Sequence, residues 1–600
     1  MNQRPRRQQN QLNIMEQFQL SVLDIGIMLT YAVLIIGYGI YHGKRNSSED
    51  YFLAGRGMPW PIVGIALFSA NISSSTLIGL AGDAYKTNIH VYNYEWFAVV
   101  VLIFFSIFFL PFYLKSGVYT MPEFLERRYD RRSRYYFSFI TIVGNVMVDT
   151  AAGLYVGSIV LKLLFPSLPS WQIILLLAIA AAAYTIPGGL NSVIQTEVVQ
   201  AILLVIGSIL LTYYAFQEFG GGWGAMMAAL TEKIQAGGVA SVEEAKALGH
   251  YAPGNAREAF SLVRPSNDEF MPWYGLLTGV PLLGFYFWAN NQFMVQRVLG
   301  ARDLNHGRWG ALFAGLLKLP VIFIMVVPGT LALLIFSDLD ISGLNYITGD
   351  GTPCQDLSQC ANLTYPVLLM QLLPSGVLGL VVAGLLAAMM SSVSATFNSA
   401  STLITMDFVR NIRPTLTSQQ LVRAGQVATV ILVVLAAAWV PFIEKVSDSL
   451  WQYLQLVISY TAPPAVATFI LGLFWKRASA TGSIVSLLFG FFFAIFMLIL
   501  QVYVNSLGEG AEPAGWIQAL TGIHFLLMAF IMWILCLLVH VVVSLNTPAP
   551  SRAQVEDYTW EQKIFREETQ ELKALPWYKN YRVLAVLLLI VTAIIVGYFW

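Results

Sequence analysis

Charge is what this sequence has least of. Lys and Arg number 34, Asp and Glu 34, together 11% of 600 residues with a net charge of +0, where a soluble domain carries roughly 25%. That balance excludes the basic footprint of a nucleic-acid-binding protein. Cysteine is almost missing, with three in all, which excludes a disulfide-built scaffold. The six His are scattered and form no H-E-x-x-H pair, so a zinc-hydrolase pattern is missing too. No G-x-x-x-x-G-K-[ST] loop is present, which argues against ATP as a ligand.

What is there in excess is apolar sequence. Hydrophobic residues make up 57% of the chain, the mean hydropathy is +0.64, and runs long enough to span a bilayer recur from Leu20 to Trp600. The fold class is therefore an all-α polytopic membrane protein. The tail before the first run is polar and Arg-bearing, and that run (20–42) is too long for the core of a cleavable signal. The pattern predicts about fourteen spans, at 20–42, 59–83, 94–115, 137–163, 171–187, 196–216, 273–296, 309–336, 374–406, 421–441, 449–475, 478–503, 519–545 and 580–599.

Basic residues set the sides. Lys115, Arg127, Arg128, Arg131, Arg132 and Arg134 share one side with Arg297, Arg302 and Arg308, with Arg410 and Arg413, with Lys476 and Arg477, and with the basic residues of 546–579. That side reads as cytoplasmic and places both termini outside the cytoplasm. Arg4, Arg6 and Arg7 weigh weakly against this. Loop 337–372 opposite has no Lys or Arg and carries Asp338, Asp340, Asp350 and Asp356. In that loop Cys354 and Cys360 suit a local disulfide if it faces outside, a zinc pair being disfavoured without a nearby His. Cys536 lies in an apolar run and reads as inert. Asn362-Leu363-Thr364 is a glycosylation sequon, a pattern common by chance.

Two spans are interrupted by polar residues, Ser69-Ala70-Asn71-Ile72-Ser73-Ser74-Ser75-Thr76 and Asn290-Asn291-Gln292. Backbone at bilayer depth has no water to bond, so such a break survives only inside protein or beside a cavity. Paired interrupted helices in corresponding halves point to a secondary transporter's binding site. The spans from the second to the eleventh divide into two sets of five, each opening with a broken helix, which predicts an inverted repeat. The resulting organisation is a tail 1–19, a peripheral helix and loop 20–58, a first repeat 59–216, an external loop 217–272 and a second repeat 273–475. Two peripheral helices 476–545, a cytoplasmic linker 546–579 and a last helix 580–600 follow.

Ala388, Ser391, Ser392 and Ala395 recur at helical spacing on one face. Adjacent hydroxyls with carbonyls freed at a helix break suit a hard cation such as sodium. The alternative for any single Ser is a bond back to its own helix. Glu95, Asp149 and Lys318 are ionisable groups inside spans, hence functional candidates, or else members of structural ion pairs.

The chain also carries Glu49-Asp50-Tyr51-Phe52-Leu53-Ala54-Gly55-Arg56, Ala70-Asn71-Ile72-Ser73, Tyr119-Thr120-Met121-Pro122-Glu123-Phe124, Pro187-Gly188-Gly189-Leu190 and Gln296-Arg297. Phe397-Asn398-Ser399-Ala400-Ser401-Thr402-Leu403 with Met406-Asp407, Tyr460-Thr461-Ala462-Pro463-Pro464 and Gly472-Leu473-Phe474-Trp475-Lys476-Arg477 complete the series. In these motifs, over about residues 45–480, the chain resembles the solute:sodium symporter family, and within it the sodium/glucose (sodium/galactose) cotransporter group. The resemblance implies a LeuT-like five-plus-five core with broken first and sixth core helices. It implies sodium as the coupled ion, held by carbonyls of Ser69, Ile72 and Ala388 and hydroxyls of Ser391 and Ser392. A second sodium of some members would here fall to Glu197 and Ser394, where a longer carboxylate and the neighbouring Ala395 depart from the pattern. A structural Glu is the other reading of Glu197.

The same resemblance places a sugar pocket at Asn71, Glu95, Lys318 and Gln455, with Tyr94, Phe287 and Trp451 as aromatic walls. Gln455 and Trp451 would form an outer lid and Phe287 an inner one. Thr76 stands where the galactose-type pattern has an amide, Gly284 replaces another amide, Ala98 a small hydroxyl and Phe287 a Tyr. Fewer hydrogen-bonding arms and more room imply a different sugar, a polyol such as inositol, or something bulkier. Asp149 replaces the Arg of acid-sugar transporters and would repel an anion, so the expected solute is neutral. The expected function is secondary active, sodium-coupled uptake by alternating access, with no enzyme activity and no obligate protein partner, in the plasma membrane (the inner membrane of a bacterium). A proton-coupled or non-sugar symporter, with Glu197, Asp149 or Glu95 carrying the proton, and a non-transporting solute sensor are the alternatives.

Overall fold

The computed structural model describes residues 20–43, 46–165, 167–337, 339–344, 346, 352–443, 450–507 and 513–600. Among the described residues the chain is helical, with one isolated β-bridge between Met58 and Ala301. Ten helices are long and apolar enough to cross a membrane, or eleven if Leu304–Lys318 and Ile322–Ile335, bent by 42°, form one span. This count by length and composition leaves the expected fourteen unmatched one for one, because kinked stretches such as Ser170–Phe219 count once. A 43-residue stretch, Ser74–Ser116, joins parts of two expected spans, while Trp60–Asn71 is short on its own.

Helix α1 (Val22–His42) begins with a capping box at Ser21 and Asp24. Its Asp24 carboxylate accepts the backbone N–H of Gly376 and Gly379, each at 2.7 Å. A buried carboxylate thus caps the orphan amides of another helix and pins the peripheral α1 to the start of the later helix Val377–Leu403.

The first interruption is a built break. Helix α2 (Trp60–Asn71) stops where Ile72 leaves helical geometry (φ −82°, ψ 82°). Helix α3 (Ser74–Thr87) restarts under a reciprocal cap, Ser73 accepting from Thr76 N and Thr76 from Ser73 N. Helix α4 (Asn93–Phe104) follows. Helices α5 (Arg131–Gly144) and α6 (Ala151–Leu164) are joined by the widened turn Asn145–Thr150. Such π-type turns concentrate at functional sites.

Helix α7 (Ser170–Phe219) runs 50 residues, about 75 Å at 1.5 Å per residue, far beyond a hydrocarbon core of about 30 Å. It divides at Gly189, whose φ of +62° breaks the helical path just after Pro187. The expected external loop 217–272 contains three short helices, Trp223–Gln235, Ala240–Ala247 and Ala256–Ala259. Its polar composition hid three short amphipathic pieces that bury Met226, Leu230 and Phe260.

The second interruption follows α8 (Trp273–Phe285). A widened turn, Tyr286–Asn290, leads to an extended Asn291 (φ −69°, ψ 128°) whose side chain caps α9 (Gln292–Leu299). Then come α10 (Leu304–Lys318), α11 (Val327–Ile335), α12 (Val377–Leu403), α13 (Ser418–Ile443), α14 (Leu450–Phe474), α15 (Ala480–Ser506), α16 (Phe525–Leu545) and α17 (Tyr581–Tyr598). Helix α12 packs along α7 and α1, and α10 along α2. Helices α14, α15 and α16 pack on one another. Outward faces keep large apolar residues exposed, such as Leu29, Ile202, Val434, Phe492 and Ile594, as lipid contact requires.

Cys354 and Cys360 are joined in a disulfide, and Cys536 is free and buried.

Candidate functional site

One cavity is enclosed by both broken helices, α4, the Asn145–Thr150 turn, α12 and α14. Its wall includes Asn71, Thr76, Tyr94, Glu95, Asp149, Gly284, Phe287 and Gln455, which brings together most of the residues expected of a solute pocket. Trp451 lies on α14, but its side chain is outside the described residues.

The polar groups are placed by local structure. Thr76 Oγ1 donates across the break to Asn71 O (2.8 Å). Asn71 Oδ1 is buried without a hydrogen-bond partner, an acceptor left open at the cavity. Glu95, in the first turn of α4, forms an ion pair with Lys318 at the end of α10, the two side chains 2% and 1% exposed. The ammonium also lies 5.7 Å from the Trp288 ring centroid and 6.0 Å from that of Phe68, within cation–π range. The ion-pair reading describes both residues; Glu95 borders the cavity, and Lys318 stands behind it, outside the lining.

The residues expected to hold a cation lie where α2 meets α12. In an unbroken helix Ser69 O and Ile72 O would each accept the amide four residues on. Here Ser73 N turns to Asn71 O (3.0 Å) and Thr76 N to Ser73 Oγ (3.1 Å), which frees both carbonyls. Ser69 Oγ and Ser391 Oγ lie 3.3 Å apart, so α2 and α12 meet at this break. Ser392 Oγ donates to Ala388 O (3.1 Å) and Ser392 borders the cavity. Two freed carbonyls, the Ala388 carbonyl and two hydroxyls are all neutral oxygens, the donor type a hard monovalent cation takes. The donor set therefore fits sodium.

Glu197 and Ser394 are engaged separately. Glu197 is buried and paired with Arg297, Arg297 Nε lying 3.1 Å from Glu197 Oε2. Ser394 donates to Tyr184 Oη (2.6 Å).

Residues that sequence reasoning passed over also matter. Thr150 and Thr396 hydroxyls meet at 2.6 Å, holding the widened turn against α12, and Trp288 and Phe293 join the cavity wall. Residues in the shared motifs knit the end of the bundle that carries the basic loops. Gln296 donates to Phe52 O, Asn398 Oδ1 and Thr402 Oγ1. Asp407 accepts from Thr120, Arg134 and Ser138. Arg128 donates to carbonyls of Gly472, Trp475 and Ala478.

Residues 51–490 match the sodium:solute symporter family. The chain is 32% identical to mouse (Mus musculus) sodium/glucose cotransporter 1 over 92% of its own length and 82% of the relative's. It is 33% identical to human (Homo sapiens) sodium/myo-inositol cotransporter over 91% and 76%, and 33% identical to the bovine (Bos taurus) sodium/mannose cotransporter over 90% and 89%. In fold it is similar to a Na+-coupled sialic acid symporter in a substrate-bound outward-open state, with a TM-score of 0.67 at 18% identity, over 89% of this chain and 99% of that one. This chain belongs to the sodium:solute symporter family.

Proposed function

We propose that this protein moves a neutral sugar or polyol across the membrane with sodium, by alternating access around the cavity between its two broken helices. It is a sodium-coupled solute transporter and not an enzyme; the solute class and the residue roles are the reading offered here. The observation that carries it is the adjacency of two sites. The break that frees the Ser69 and Ile72 carbonyls brings the Ser69 hydroxyl to that of Ser391 on α12, and the same break presents Asn71 and Thr76 to the cavity.

Sodium bound there ties α2 to α12 and fixes the break, so the pocket holding Asn71 and Thr76 is preorganised. Solute and ion then favour each other's binding, because coupling is reciprocal. Each sodium gains about 2.3 kcal/mol per 100 mV of membrane potential, besides its gradient. Around the solute, Asn71, Glu95 and Gln455 offer donors and acceptors for hydroxyls, Lys318 holds Glu95 from behind, and Tyr94 and Phe287 cover apolar ring faces. Relatives named for glucose, mannose and myo-inositol support the solute class. The plasma membrane is the proposed location, and the basic loops support extracytoplasmic termini. A protease-sensitive tag at either end checks the orientation.

The test is sodium-driven uptake of labelled glucose, galactose, mannose, myo-inositol and sialic acid in proteoliposomes. Uptake of one neutral member, lost in Ser392→Ala, supports the reading. Selective uptake of sialic acid would overturn the solute class.

A further inference from the structure

A groove opens on the outer side of the bundle, at the end where the basic loops lie. Helices α2, α10 and α17 all begin there, at Trp60, Leu304 and Tyr581. Helices α2 and α10 are clasped at glycines, since a Cβ on Gly64 would lie 2.7 Å from Phe313 Cδ1 and one on Gly310 2.7 Å from Val63 Cγ1. Helix α17 leans on α10 less closely, a Cβ on Gly315 meeting Leu588 Cδ2 at 3.3 Å. A space of about 520 Å³ stays open among the three, within the roughly 300–1,000 Å³ of sites that hold small molecules.

The body of the groove is apolar. Leu312 and Leu588 are buried at its floor, and Leu316, Leu587 and Val591 stand half-exposed along it. From the start of α17 to Val591 is about 15 Å at 1.5 Å per residue, half of a hydrocarbon core of about 30 Å. The groove therefore has the depth of one leaflet.

The mouth differs in kind. Trp60, Trp309 and Tyr578 stand there with Lys579. The Trp309 indole N–H donates to Lys579 O (3.2 Å), which holds the turn before α17 against α10. Trp and Tyr collect at the headgroup level of a membrane. Among the described residues the Lys579 ammonium makes no hydrogen bond or ion pair. Glu568, on the preceding helix Gln562–Lys573, is already paired with Arg308 and Arg582. The mouth thus presents one uncompensated positive charge at headgroup depth. An anionic headgroup complements it, whereas a zwitterionic one brings a cation of its own.

We infer that the groove among α2, α10 and α17 binds one anionic phospholipid of the leaflet on the side of the basic loops. An acyl chain lies along Leu312, Leu587 and Val591, and the phosphate meets Lys579. The lipid joins the peripheral α17 to α2 and α10, the helices that carry Ser69 and Lys318.

Photolabelling of the purified full chain tests this in phosphatidylcholine vesicles. The probes are phosphatidylglycerol or phosphatidylcholine carrying a diazirine on one acyl chain, with labelled peptides located by mass spectrometry. Label from phosphatidylglycerol should concentrate on residues 309–316 and 584–591. It should exceed that from phosphatidylcholine about fivefold, the worth of one basic residue at an anionic surface. Lys579→Gln should bring the ratio to about one. Leu587→Trp, at an exposed position that fills the groove, should remove most of the label, and Val434→Trp on the lipid face of α13 should leave it unchanged. Equal labelling by the two lipids in wild type would overturn the inference, as would a preference that survives Lys579→Gln. Label spread evenly over the lipid faces, or a groove found cross-linked to a second copy of the chain instead of lipid, would overturn it too.

Discussion

Lys318 and Glu95, separated by 223 positions in the chain, form a buried ion pair that joins α10 to α4 at the cavity wall. The pair sets the Glu95 carboxylate at the cavity wall with Lys318 behind it, without adding net charge.

Breaking this pair from one side should therefore be worse than removing it. Lys318→Met strands a buried carboxylate, a loss of about 3–5 kcal/mol. Lys318→Met with Glu95→Leu should recover much of that stability, because two apolar side chains of similar bulk fill the space. Thermal unfolding in detergent reads the stability. Solute uptake should be lost in both variants, since the Glu95 carboxylate is no longer held in one and is gone in the other.

Arg297 and Glu197 make the same argument at the other end of the second broken helix, where α9 meets α7. Arg297→Ala should lower the melting temperature strongly, and the double substitution with Glu197→Ala should be milder than either single change. A double-mutant cycle measures the coupling, and strict additivity would contradict the pairing.

The bend in α7 rests on Gly189. Its φ is +62°, and a Cβ there would lie 2.5 Å from Tyr51 O and 2.7 Å from Tyr51 Cδ2. Gly189→Ala combines a left-handed backbone with a clash, a cost of about 2 kcal/mol or more. Reduced folded yield and a lower melting temperature are the expected readout. Wild-type stability would show that the bend relaxes.

Cys354 and Cys360 close a loop with a sequence separation of 6. Removing the bond by Cys354→Ser should cost about 2 kcal/mol from the unfolded-chain entropy of so short a loop. Thermal unfolding with and without reductant checks it, wild type with reductant matching the variant without.

Both helix breaks were legible in the sequence, because polar residues at bilayer depth have few physical uses. Ser73 and Thr76 even spell the cap that restarts α3. The serines of α12 and the ionisable Glu95, Asp149 and Lys318 stood out for the same reason. Pairings did not. Whether Glu197 meets a cation or a hydroxyl depends on how α7 packs against α9 and α12, and no periodicity within one helix fixes the rotation of another. Thr150 and Thr396 were hidden likewise, each reading alone as a Thr bonded to its own helix. The expected division near Gly189 matches the kink that splits α7, while the short helices inside 217–272 left little apolar signal.

The most direct test of the central claim is uptake of labelled neutral sugars and polyols into proteoliposomes under an inward sodium gradient, with potassium in its place as the control. The account predicts accumulation of one of them with sodium only, abolished by Ser392→Ala in protein that remains folded. Equal uptake in potassium, or sodium-driven uptake that survives Ser392→Ala unchanged, would contradict it.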